Sequence, residues 1–245
     1  MSIKKHIPNF LTFLNLSAGL LALVHAFNGN YNEAFSLVCL GIFFDFWDGF
    51  FARKFNVSGD LGLQLDSMAD MVTSGVVPGL VMYKMFADIQ ENQEMYNLTE
   101  ETWFMGAVPY IGFLITLGSA YRLAKFNIDT RQTDSFIGLP TPANALFILS
   151  LPMILFQNQF EWVSAIISNP YFLVVLSVLS AYILNAEIPL FSLKIKNFTF
   201  KKYKLQVSFL VVSVLLLFLL QYLAIPLIIL LYIFLSILVK PKTAL

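Results

Sequence analysis

Apolar residues run in long blocks along the chain, at about 10–27, 33–52, 64–87, 104–124, 142–157, 170–190, 206–222 and 224–240, with polar residues gathered between them. Most of these blocks approach the ~20 residues that a helix needs to cross about 30 Å of hydrocarbon. In lipid every backbone polar group must be satisfied within its own segment, which favours helices. The pattern therefore predicts an all-α, polytopic membrane bundle of about eight transmembrane helices. The block at 142–157 is short and starts after Pro140 and Pro142, and only Gln221 and Pro226 separate the last two blocks, as in a tight helical hairpin. No internal repeat or low-complexity linker divides the chain.

Composition narrows the reading. The chain is 58% hydrophobic and 12% charged, against about 45–50% and about 25% in soluble domains. An ordinary water-soluble enzyme and a disordered protein are both excluded. Net charge is zero, so there is no basic field to recruit nucleic acid, and the lipid bilayer is the expected surrounding. Cys39 is the single cysteine, which excludes a disulfide framework and a cysteine-based metal cluster; a buried, inert thiol is expected. Lys4 and Lys5 precede the first block, but that block is too long for a signal-peptide core and is interrupted by Asn9, Thr12 and Asn15, so the N-terminus is expected to be retained.

Charge placement orients the bundle. With the N-terminus in the cytoplasm, every basic residue except Lys84 falls on the cytoplasmic side, while Glu33, Asp88, Glu91, Glu94, Glu100, Glu101 and Glu161 fall outside. The positive-inside rule then places both termini in the cytoplasm, in a cell membrane.

Four aspartates interrupt the second and third blocks: Asp45 and Asp48, then Asp66 and Asp70. Each costs roughly 2.5–3.5 kcal/mol at mid-bilayer. Spacings of three and four place each pair on one helical face, so Asp45, Asp48, Gly49, Ala52 and Arg53 form one stripe and Gly62, Asp66 and Asp70 another. The loop between is short, which makes the two helices antiparallel neighbours with facing stripes. Arg53 and Lys54 are the only local cations, and Lys54 can snorkel away. Divalent ions would fill the deficit, and an all-oxygen ligand set without His or Cys favours Mg2+ or Mn2+. Two such ions sharing a carboxylate suit displacement at phosphorus. Protonated or structurally hydrogen-bonded carboxylates are the alternative, which suits one aspartate better than four. Gly49 costs about 1 kcal/mol within a helix and either admits a ligand to the backbone or lets helices pack closely. Arg53 either binds a phosphate oxygen or anchors the helix end.

Read together, the residues Asp45-x-x-Asp48-Gly49-x-x-Ala52-Arg53, eight residues, then Gly62-x-x-x-Asp66-x-x-x-Asp70 resemble the signature of the CDP-alcohol phosphatidyltransferase family, with no departure at a fixed position. The resemblance implies a membrane enzyme that transfers the phosphatidyl group of CDP-diacylglycerol to an alcohol and releases CMP. It implies that Asp45, Asp48, Asp66 and Asp70 surround the divalent ions, that Asp70 accepts the proton, and that the protein is a homodimer. The transferase core would span residues 1–196, with 197–245 adding a basic cytoplasmic loop and a C-terminal hairpin to the same bundle. Expected around the CDP-lipid are Gly49, Ala52, Arg53 and Gly62. Asn9 and Thr12 either hydrogen-bond phosphate or cytidine or simply pack the first span, and Ser58 lies in a loop with backbone donors.

Further stretches, Pro8–Asn15, Gln64–Asp70, Ser74–Pro78, Tyr121–Asn127, Phe136–Ala143 and Glu187–Lys194, resemble the serine-using members of the family. L-serine is then the expected acceptor. Its carboxylate wants a guanidinium or ammonium, which Arg122 or Lys125 could supply; Asn127 could orient it, and Gly138 belongs to a loop that could cover the site. The alternative role of Arg122, Lys125 and Arg131 is to set topology by positive charge. Rival readings are another acceptor (glycerol 3-phosphate, inositol phosphate or choline) and, in a different class, a cation transporter.

Overall fold

The computed structural model describes residues 6–57, 59–96, 106–129, 136–191 and 204–239. Their architecture is all-α, with helices at the predicted apolar blocks. Helix α1 (Ile7–Phe27) and α2 (Tyr31–Phe55) form a hairpin, turned by Gly29 at φ +75°, a conformation that suits glycine. Ala22, Ala26, Ala34 and Val38 are completely buried, because small side chains let two backbones approach. The third block is helical throughout: α3 (Asp60–Asp70), a π-helical turn (Met71–Val76) and α4 (Val77–Tyr96).

A 3-10 turn (Val108–Phe113) leads into α5 (Leu114–Ile128), followed by α6 (Thr141–Gln157). The helix of the block expected at 170–190 ends at Asn185, and a separate short helix precedes it. A short helix, α7 (Glu161–Ile167), bends by 69° into α8 (Pro170–Asn185). Pro189 cannot donate a helical hydrogen bond, and Pro189–Leu190 (β2) pairs antiparallel with Phe136–Ile137 (β1) instead. That clip, with Gly138 N–H donating to the Ile188 carbonyl at 2.9 Å, ties the loop before α6 to the end of α8.

Helices α9 (Lys204–Leu220) and α10 (Ala224–Val239) meet at a 3-10 turn (Gln221–Leu223). The Phe209 and Tyr232 rings lie 5.7 Å apart, whereas one straight helix would separate them by about 35 Å. The stretch therefore folds back as a hairpin, with Gln221 at φ 49° in its turn. It docks through Tyr232 O–H to the Phe191 carbonyl at 2.8 Å and through a Gln157–Gln221 amide pair.

The inside of the bundle is apolar, with Val81, Met82, Ile148, Leu149 and Leu173 at its centre. The outside is apolar too: Phe46, Leu117 and Phe218 are 62%, 65% and 86% exposed, a surface matched to hydrocarbon and not to water. Among the described residues, the helices Ile7–Phe27 and Tyr31–Phe55 are long and apolar enough to cross a membrane; by length and composition the stretch Lys204–Leu238, folded here as the hairpin, and the bent pair α7–α8 are further candidates. Cys39 is free and half-buried, less enclosed than its apolar surroundings led us to expect.

Close packing makes Gly112 indispensable. A Cβ at Gly112 would lie 2.7 Å from the Tyr83 backbone nitrogen, whereas one at Gly106 meets nothing within 4 Å. Gly112→Ala is expected to destabilise the fold by about 1–3 kcal/mol and Gly106→Ala to leave it unchanged, as read by thermal melting in detergent.

Candidate active site

The carboxylates converge where α1, α2 and α3 meet. Asp45 and Asp48 project from α2 and Asp66 from α3, and one oxygen from each lies within 4.8 Å of the other two. Their i, i+3 spacing on α2 places both on the face toward α3. Asp48 is only 5% exposed. Its Oδ2 accepts a 2.6 Å hydrogen bond from Thr12 Oγ1 of α1. Asp70, one turn beyond Asp66, stands outside this trio and accepts at Oδ1 from Asn15 Nδ2 at 3.2 Å.

Three carboxylates gathered this closely need a proton or a cation between them. Asp66 Oδ1 is buried with no hydrogen-bond partner among the described residues, which is the atom an oxygen-coordinated cation would satisfy. The donors are all hard oxygens, so the set fits a divalent ion such as Mg2+ or Mn2+.

Beside the trio opens a cleft of about 170 Å³, lined by Asn9 and Thr12 of α1, Asp48, Gly49, Ala52 and Arg53 of α2, and Gly59, Gly62 and Asp66 on the α3 side. The glycines explain its shape. A Cβ at Gly49 would meet only the Arg53 guanidinium, at 3.4 Å, and one at Gly62 only Asn9 Oδ1, at 3.6 Å. Neither position is needed for helix packing, so both leave the cleft open to a ligand. Arg53 folds back over Gly49, bringing the one cation of the lining beside the carboxylates.

The four residues expected at an acceptor lie elsewhere. None of them lines the cleft. Arg122 is 7% exposed and its Nη1 donates to the Ile137 carbonyl at 2.7 Å and the Leu184 carbonyl at 2.9 Å. Gly138, at φ +74°, packs so closely on it that a Cβ would lie 3.0 Å from Arg122 Nη1. Lys125 pairs with Glu187 at 3.5 Å. Asn127 reaches the segment that carries the carboxylates: its Nδ2 donates to Ser67 Oγ at 2.8 Å, next in sequence to Asp66. Ser58 lies outside the described residues.

Sequence reasoning passed over Asn15 as a site residue. The signal was present: Asn9, Thr12 and Asn15 recur at i, i+3 and i+6 in an otherwise apolar helix, a polar stripe turned to the carboxylates.

A profile of the CDP-alcohol phosphatidyltransferase family matches residues 5–178. The chain is similar to a CDP-diacylglycerol–serine O-phosphatidyltransferase of Bacillus subtilis, 35% identical over 60% of this chain and 75% of that one. It is also similar to one of Methanocaldococcus jannaschii, 34% identical over 58% of each chain. An archaetidylserine synthase of Methanothermobacter thermautotrophicus is 31% identical over 62% of this chain and 60% of its own. The match thus spans three quarters of the first relative and about three fifths of the other two.

A cation among the carboxylates has a thermal signature. Mg2+ or Mn2+ is expected to raise the Tm in detergent, by about 2.7 kcal/mol of stabilisation at a hundred times Kd, and Asp66→Asn to abolish the rise. A Tm indifferent to both ions would count against the cation.

Proposed function

Because the chain belongs to the CDP-alcohol phosphatidyltransferase family, we propose that it is a phosphatidylserine synthase, moving the phosphatidyl group of CDP-diacylglycerol onto the hydroxyl of L-serine with release of CMP. The observation that carries this reading is the convergence of Asp48, Gly49, Ala52, Arg53, Gly62 and Asp66 on one open cleft, with Asp45 within 4.8 Å.

In this reading the pyrophosphate enters beside Gly49 and Gly62, where missing side chains let its oxygens approach the backbone. Arg53 takes a phosphate oxygen through its guanidinium fork. Asp45, Asp48, Asp66 and Asp70 would hold two divalent ions, Mg2+ or Mn2+, which when bound neutralise the charge of the pyrophosphate and of departing CMP. Thr12 keeps Asp48 in place. Asn9, Thr12, Ala52 and Ser58 complete the donor's surroundings. The serine hydroxyl oxygen attacks the lipid-side phosphorus directly and its proton passes to Asp70. The phosphoanhydride P–O bond breaks, and CMP leaves with the electron pair. Arg122, Lys125, Asn127 and Gly138 are assigned to the acceptor side, with Asn127 hydrogen-bonded to Ser67, next in sequence to Asp66.

The relatives at 35% and 34% identity are named for serine as the acceptor, and the stretches around Arg122 and Gly138 resemble those of the serine-using members. That favours serine over glycerol 3-phosphate or inositol phosphate. The clustering of the acids on two adjacent helices favours an enzyme over a cation transporter, whose sites usually lie at breaks in repeated helices. The same reading places eight spans in the cytoplasmic membrane as a homodimer, with termini and cleft facing the cytoplasm. Residues 1–196 form the transferase core, and 197–245 complete the bundle.

Purified protein given CDP-diacylglycerol and Mg2+ or Mn2+ is expected to release CMP only when L-serine is present, and to stop on chelation. Asp70→Asn should lower kcat by about 10²–10⁴-fold. CMP release with glycerol 3-phosphate or inositol phosphate but not serine would keep the family and reject the acceptor. Gly49→Ala should raise the KM for CDP-diacylglycerol about tenfold or more while the Tm stays within about a degree, because its Cβ enters the cleft and not a helix contact.

A further inference from the structure

Directly after Asp70 the backbone changes its winding: Met71–Val76 form a π-helical turn. Such turns are rare and gather at functional sites. This one admits an extra residue, which re-registers α4 against α3 and sends Thr73 inward, where it is completely buried.

The socket that receives Thr73 is built from two other helices. A Cβ at Gly19 of α1 would overlap Thr73 Oγ1, and one at Gly41 of α2 would lie 2.7 Å from Thr73 Cγ2 and 2.8 Å from Asn15 Oδ1. Both positions are therefore restricted to glycine by this one side chain and its neighbour. Within the socket Thr73 Oγ1 donates to Asn15 Oδ1 at 2.9 Å, and Asn15, 1% exposed, donates from Nδ2 to Asp70 Oδ1 at 3.2 Å.

An amide offers one acceptor oxygen and one donor nitrogen. The Asn15 oxygen faces Thr73 and its NH2 faces Asp70, where a flipped amide would set a carbonyl against a carboxylate; the Thr73 hydroxyl, whose Oγ1 also lies 3.2 Å from the Asn15 main-chain carbonyl oxygen, holds the amide oxygen in that setting. We propose that Thr73 and Asn15 are positioning residues for Asp70, with the π turn as the device that brings Thr73 back to orient the Asn15 amide. That amide occupies Oδ1 of Asp70 and fixes the carboxylate plane, leaving the other oxygen to take the proton of the attacking hydroxyl. The inference rests on Asp70 being the proton acceptor of the proposed reaction.

Thr73→Val keeps the shape of the side chain and removes the hydroxyl. The expected result is a kcat for CMP release about tenfold lower with the KM for CDP-diacylglycerol close to wild type, alongside a lower Tm from the buried Asn15 oxygen left without its donor. Thr73→Ser should recover most of the loss. Asn15→Ala should lose more, and adding Thr73→Val to it should cost nothing further, because the two act through one chain of hydrogen bonds. Independent, multiplying losses in the double variant, or a Thr73→Val effect confined to Tm, would overturn the proposal. If Thr73→Val does not fold, Asn15→Asp decides, since it is isosteric, keeps an acceptor for Thr73 and removes the donor to Asp70; a wild-type kcat would overturn the proposal. The comparison uses whichever acceptor gives turnover. Loss of serine dependence in the wild type then rejects the acceptor alone, and an unchanged kcat in Thr73→Val rejects this relay alone.

Discussion

Carboxylates drawn within 4.8 Å of one another inside an apolar bundle lose hydration and repel, and the weaker screening of the interior magnifies both costs. Asp45, Asp48 and Asp66 persist there only with compensation, and the surrounding structure supplies it from several directions. Thr12 donates to Asp48 and Asn15 to Asp70. Arg53 brings a guanidinium to the edge of the cleft. What these leave unmet, such as Asp66 Oδ1, is what a divalent ion would complete.

That constraint accounts for how small residues are distributed. Gly19 and Gly41 are filled by neighbouring atoms, and any side chain there would collide with Thr73 or Asn15. Gly49 and Gly62 have only ordinary contacts around the place a Cβ would take. The first pair lets α1 and α2 close around the π turn; the second keeps space for a charged substrate. One residue type serves opposite ends in the same helix, at Gly41 and Gly49, eight positions apart in sequence.

Away from the carboxylates the polar groups serve mainly to hold segments in place. Arg122 ties the carbonyls of Ile137 and Leu184 together, joining the loop before α6 to the end of α8, where β1 and β2 pair. A buried guanidinium bonded to backbone carbonyls fixes a loop at the rim of the bundle without a carboxylate partner in that contact. The C-terminal hairpin is fastened to the same region through Phe191, whose carbonyl accepts from Tyr232. Residues far apart in the chain are thereby set around one end of the molecule.

Much of this was legible along the chain. Apolar blocks gave the helices, because burying a helical backbone in lipid demands a continuous run of apolar side chains. Spacings of three and four gave the stripe on α2 and its partner on α3, because helical geometry converts sequence distance into direction. The short link between them made their carboxylates neighbours. Sequence alone left Gly49 undecided between packing and ligand, since a missing side chain looks the same in either role; only the atoms around it separate the two. It placed Asn15 on a polar stripe but did not show its partner, Asp70, 55 positions away. Nor did it mark the π turn at Met71–Val76, which carries Thr73 into the socket at Gly19 and Gly41. The bend between α7 and α8 and the capture of Arg122 by two carbonyls were also decided in three dimensions. Local periodicity fixes which residues share a helix face; which faces meet, and which polar groups find each other across them, depends on packing between distant segments.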